Sequence, residues 1–165
     1  MARRSVTAGE LMEALAKDSE YHARVAERDR RIEEAQREIA PEEAQIAQEA
    51  SRVGYAITSV WDFVNNAPYP FLPRPFMGPY QRAYPILVRH LAAPHHPKVR
   101  EGIIRALTVR DGGRVVIEAL LQEFNHESRP ELKWVLANAL RVVMPLAQRK
   151  GHPEIMNVYR RKNAP

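Results

Sequence analysis

Two stretches of this chain repeat one another at an offset of 33 residues, and no other feature limits the possible folds as sharply. Residues 97–107 (PKVREGIIRAL) align with 130–140 (PELKWVLANAL). Pro97 meets Pro130, Val99 meets Leu132, Arg100 meets Lys133, Ala106 meets Ala139 and Leu107 meets Leu140. The segments before them keep the same offset, with Leu87 on Leu120, Val88 on Leu121 and Leu91 on Phe124. Within each stretch the apolar residues recur every three or four positions, the period of one helix face. Each unit is therefore a pair of helices. One pair cannot bury its own apolar face, so the units must stack.

The rest of the chain also reads as helix, in several pieces. Across residues 8–53 Gly9 is the one glycine and Pro41 the one proline, and good helix formers dominate. Pro41 followed by Glu42 and Glu43 looks like a helix start, because proline suits the first helical position and acids suit the positive end. Two helices are expected, 8–39 and 41–53, with Gly54 as the stop. Val25, Ile32, Ile39, Ile46 and Val53 recur every seven residues and form one apolar row. Charged residues such as Arg28, Glu42 and Glu49 stand where a coiled coil would need a second row, so no strong zipper is expected. The Ile46, Ala50 and Val53 side should pack on the body. Residues 59–66 read as a short helix, with Ser59 and Asp62 in capping-box positions. Residues 67–79 interleave five prolines with Tyr69, Phe71 and Phe76, so no regular helix survives there. Such a segment is either an ordered connection or a binding loop. Helices are expected again at 80–91, 97–109, 114–124, 130–144 and 153–162.

The motif Val99-Arg100-x-x-Ile103-x-x-Ala106-Leu107 resembles the second helix of a HEAT repeat, with Lys133 in the basic place of the second copy. Residues 59–144 as a whole are similar to a group of small bacterial HEAT-repeat proteins. The resemblance implies an all-α fold, a short α-solenoid of HEAT-like helix pairs over 55–165, with an N-terminal charged helical extension at 1–54. It implies that Arg100 and Lys133 bracket neighbouring repeats. It also implies an interaction surface on the concave side, lined by the second helices.

The core rows set the phase of that surface. On the second helix of the first pair, Glu101 and Arg105 turn away from the row Val99, Ile103, Ala106 and Leu107. The equivalents 33 residues later are Trp134, Asn138 and, at the position matching Thr108, Arg141. If 59–66 is an earlier second helix, Asp62 and Asn66 fall in the same register, beside Trp61. Asp62, Asn66, Glu101, Arg105, Trp134, Asn138 and Arg141 are thus the expected binding stripe. Trp and Arg are frequent anchors at interfaces. Core packing is the competing role for both tryptophans.

Composition narrows the chemistry. The 165 residues suit one ordinary domain, and the absence of cysteine excludes disulfides, thiol nucleophiles and Cys-type zinc sites. No apolar run approaches the roughly 20 residues of a membrane span, and the first ten residues lack the apolar centre of a signal peptide. A cytoplasmic location without membrane contact is expected. His90, His95 and His96 lie close in sequence but lack the spacing of a metal-binding helix face, so no metal or other cofactor is expected. No nucleophile motif is present, and a non-enzymatic role follows. Residues 1–54 carry 9 Lys and Arg against 12 Asp and Glu, a net of −3, whereas residues 55–165 carry 16 against 8, a net of +8. The expected function is a protein-protein interaction module, an adaptor or a neutralising partner of the toxin-immunity kind. The alternative is nucleic-acid binding, since Trp61, Asp62 and Trp134 on a basic body are similar in kind to the groove of alkylpurine DNA glycosylases.

Overall fold

The computed structural model describes residues 7–66 and 78–162, with the side chains of the last four outside the description. Among the described residues every regular element is helical and no strand occurs. The chain divides into two compact units, Met1–Ala40 and Pro41–Pro165.

In the first unit, α1 spans Ala8–Lys17 and begins in a capping box. Thr7 Oγ1 accepts from the Glu10 N–H while Glu10 Oε2 accepts from the Thr7 N–H. The helix ends at Asp18, whose carboxylate accepts from the Tyr21 N–H and opens α2, Ser19–Arg52. Two of the expected boundaries are therefore corrected. The break lies at Asp18, where a short acceptor side chain captures a helix-entrance N–H. No break occurs at Pro41, which sits inside α2. Proline removes one N–H bond there, but Ala, Glu and Gln around it hold the helix on both sides. Pairs such as Glu13–Lys17, Glu20–Arg24, Glu27–Arg31 and Glu33–Arg37 line the exposed surface at helical spacing. Each contributes no more than about 0.5 kcal/mol.

In the second unit, α2 ends as expected near Gly54, which takes φ +92° and bonds its N–H to the Ser51 carbonyl. Ile46 and Ala50 are fully buried. A four-residue helix, α3 (Trp61–Val64), replaces the expected 59–66. The proline-rich 67–77 part of the expected loop lies outside the described residues. A 3-10 turn at Gln81–Ala83 leads into α4, Tyr84–Leu91. Then come α5 (Pro97–Ala106), α6 (Gly113–His126), α7 (Pro130–Val143), a short α8 (Leu146–Arg149) that the sequence reading lacked, and α9 (Pro153–Lys162).

These helices pack in a definite order. α5 lies against α3, α4 and α7; α6 lies against α4 and α7; α9 lies against α7. The repeat is visible in burial as well as in sequence. Read residue by residue, 97–108 and 130–141 share one pattern of exposed, half-buried and buried positions. Val99, Ile103, Ala106 and Leu107 are buried, and so are Leu132, Leu136, Ala139 and Leu140. Leu87 with Leu120 and Leu91 with Phe124 follow suit on α4 and α6. Burying one leucine side chain contributes about 1.5–3 kcal/mol, so these rows hold the unit together.

Polar contacts fix how the pairs meet. Arg100 donates to the Leu91 carbonyl at 3.0 Å and pairs with Glu123 of α6. Glu127, buried after α6, accepts from Arg129 at 2.8 and 2.9 Å. Arg129 holds its carboxyl at about 2, against the cost of burial. Lys133 lies over the Phe124 ring, 4.7 Å from its centre. The Tyr80 hydroxyl donates to the Ala106 carbonyl, and the Tyr84 hydroxyl donates to Asp111, each at 2.8 Å.

Candidate functional site

The half-buried row on α5 and α7 follows from the two core rows. A helix residue displaced from a buried row by one or two positions lies at its rim, neither sealed nor free. Glu101 and Arg105 are half-buried on α5, and Trp134, Asn138 and Arg141 are half-buried at the matching places on α7. Since α5 and α7 pack together, the five expected residues lie on two adjoining helices.

On α5 the side chains form a connected group. Arg105 Nε donates to Glu101 Oε1 at 2.8 Å. Lys98 Nζ lies 3.8 Å from Glu101 Oε2 and 4.5 Å from the centre of the Trp61 ring. Lys98 stands one helical turn before Glu101 and two before Arg105, on the same face of α5, and extends the expected stripe, which begins on that helix at Glu101. Its place over an indole face gives the group a cation–π contact. Trp61 reaches α5 because Gly102 leaves room. A Cβ there would stand 2.5 Å from Val60 Cγ1 and 3.0 Å from the Trp61 indole nitrogen.

Asp62 and Asn66 are placed differently from the stripe. The Asp62 carboxylate turns back to the helix entrance and accepts from the Thr58 N–H at 2.9 Å and the Ser59 N–H at 3.1 Å. It also accepts from the Thr58 hydroxyl. Ser59 Oγ accepts from the Trp61 N–H and donates to Glu43. Asn66 donates from its amide to the Gly78 carbonyl at 2.7 Å, and the Tyr55 hydroxyl donates to the Pro79 carbonyl at 3.2 Å. These contacts tie down the two ends of the segment between α3 and α4. Both residues serve the backbone, because α3 is too short to carry its own entrance and exit.

A second polar group escaped the sequence reading. Glu42 and Glu49 of α2, both half-buried, meet the buried rings of His90 of α4 and His95 of the α4–α5 turn in one chain. Burial opposes the charge on Glu42, but the His96 N–H and the His95 ring outweigh it and hold the carboxyl below its ordinary range. Glu49 is held low in the same way by Arg89 and His90. Burial pushes His90 down, against the pull of Glu49. Partners more than forty residues apart leave no local motif. The one signal was the seven-residue spacing of the two glutamates, which sets both on one helix face.

Among the described residues no group of three or more His, Asp or Glu is arranged to hold a metal ion. Among the same residues no helix is long and apolar enough to cross a membrane. No family model, no curated protein and no solved structure matches this chain.

Proposed function

We propose that the second unit is a short α-solenoid of HEAT-like pairs, and that it works as a non-catalytic protein-interaction module through the α5–α7 face. The observation that carries this is the shared burial pattern of 97–108 and 130–141 on two helices that pack side by side. The order of packing supports it. α3, α5 and α7 adjoin in chain order, and α4 adjoins α6. Stacked pairs have that order. Trp134 would supply apolar area to a partner, and Arg105 and Arg141 would supply charge and forked hydrogen bonds.

The nucleic-acid reading draws on the +8 charge of residues 55–165. Base excision would need Asp62 as a reacting carboxylate, and that carboxylate accepts from the Thr58 and Ser59 N–H groups ahead of α3. The protein-binding reading is therefore the better supported.

The test is photo-crosslinking in the native cell with a reactive amino acid at Asn138, set against the exposed Val115 of α6. A protein adduct at Asn138 alone is expected. Binding of that protein should weaken by more than about 2 kcal/mol when Trp134 and Arg141 are both changed to Ala. Unchanged binding in the double variant removes the face from consideration. Loss of about a thousandfold in affinity between 50 and 200 mM salt points to nucleic acid instead.

A further inference from the structure

The chain Glu49–His90–His95–Glu42, whose two rings are buried between half-buried carboxylates, allows its protons to be counted. His90 Nε2 lies 3.2 Å from Glu49 Oε2, His90 Nδ1 lies 3.1 Å from His95 Nε2, and His95 Nδ1 lies 2.8 Å from Glu42 Oε2. Both imidazole side chains are 5% exposed, so water does not complete their hydrogen bonding. Each of the three contacts needs one hydrogen. Two neutral rings bring only two hydrogens between them, which leaves a lone pair facing a lone pair or a carboxylate. Two charged rings bring four, and two N–H groups then meet head-on at the contact between the rings. One imidazolium and one neutral imidazole satisfy all three contacts, and their single charge sits between two carboxylates.

We propose that Glu42, His95, His90 and Glu49 form a single-proton latch that fastens residues 41–52 of α2 to α4 and the α4–α5 turn. The latch loosens when its shared proton leaves and also when a second proton enters. The surrounding charges set which ring is charged. Arg89 pairs with Glu49 and already supplies a cation there. At Glu42 the facing ring is His95, and the His96 backbone N–H donates to the same oxygen at 2.9 Å. His96 Nδ1 accepts from the Lys98 N–H at the start of α5, so its ring holds the turn and stays out of the chain. Burial favours the neutral form of His90. Whichever ring holds the charge, that ring donates to its carboxylate and to the other ring, and the neutral ring donates to its own carboxylate and accepts from its neighbour. Above neutrality the proton leaves and a lone pair faces a carboxylate or the other ring. In mild acid a second proton forces the rings apart.

The test uses the full chain. Histidine side-chain 15N NMR from about pH 5 to pH 9 reads the protonation of each ring. Amide hydrogen exchange, corrected for intrinsic pH dependence, reads the protection of residues 42–52. Near neutrality the two rings should share one charge, one as imidazolium and one as a neutral tautomer, and should titrate in coupled steps. Protection of 42–52 should fall about tenfold on either side of that range. In His95→Gln the pH dependence of that protection should flatten. The wild-type spectra decide the matter even if this variant folds poorly. Independent single titrations of the two rings overturn the latch, and so does protection that is flat with pH. A change in both signals on adding EDTA overturns it too, since a metal would then occupy the place of the proton.

Discussion

Leu107 and Leu140 hold the same place in successive repeats, and both are fully buried. Leu107→Ala and Leu140→Ala should each destabilise the fold by about 2–5 kcal/mol in urea unfolding, the cost of a lost side chain plus its cavity. Similar losses at the two sites would show that the repeat is energetic as well as structural. Gly102 is the opposite case, where the missing side chain is what matters. A Cβ would collide with Val60 Cγ1 at 2.5 Å, so Gly102→Ala should cost about 1–3 kcal/mol. It should also quench the contact of Trp61 with α5, which Trp61 fluorescence in a Trp134→Phe background can follow. The leucines were legible in the sequence, because a repeated apolar position in a helical row has one explanation. Gly102 was not legible. A glycine inside a helix has many causes, and this one depends on a tryptophan 41 residues earlier in the chain.

At the scale of elements, start signals proved easier to see than their strength. Ser59 and Asp62 stand in capping-box positions, yet the Asp62 carboxylate accepts from the Thr58 and Ser59 N–H groups ahead of α3, and no side chain caps α3 itself. The same residue falls in the binding stripe if 59–66 is an earlier second helix, and the helix formed there has four residues. Asp62→Ala should therefore cost about 0.5–3 kcal/mol of stability, the range for lost hydrogen bonds to a carboxylate, with no change in partner affinity beyond the loss of folded protein. Asp62→Asn keeps an acceptor and should recover most of that loss. Parallel urea melts of the two variants check this, and equal melts would deny the carboxylate this role. Pro41 was read as a start because its sequence neighbours suit one, yet Asp18 captures a helix entrance and Pro41 does not. A hydrogen bond from a side chain to a free N–H decides the boundary, and proline alone only permits it.

For the second unit as a whole, charge sets the response to acid. Glu42, Glu49 and Asp111 are held below their ordinary range, and Glu127 is held at about 2. In that window the unfolded chain binds protons that the folded chain refuses. Their stabilisation is complete above the ordinary carboxyl value of 4.5 and is lost as pH falls towards about 2. His90 is a base held below its ordinary 6.5, so the unfolded chain again takes the proton first. Its contribution is complete above pH 6.5 and declines below it. Chemical unfolding at a series of pH values should show stability falling in two stages, the first starting near 6.5. His90→Gln should remove the first stage, and Glu127→Gln should shrink the second. One stage in the wild type would contradict the assignment.

The sequence by itself determined the helical class and the positions of the two repeated pairs. It also determined the buried rows Val99, Ile103, Ala106 and Leu107 and Leu132, Leu136, Ala139 and Leu140, because a 33-residue offset and a helical period leave each apolar row one side to face. Those are periodic properties, and a period needs no knowledge of distant residues. Tertiary structure alone decided that Asp62 and Asn66 serve the backbone, that Lys98 lies over Trp61, and that Glu42 and Glu49 meet His95 and His90. These are meetings between single side chains brought together by packing. Their energies depend on burial and on a partner within about 3 Å, and neither is encoded by spacing along the chain.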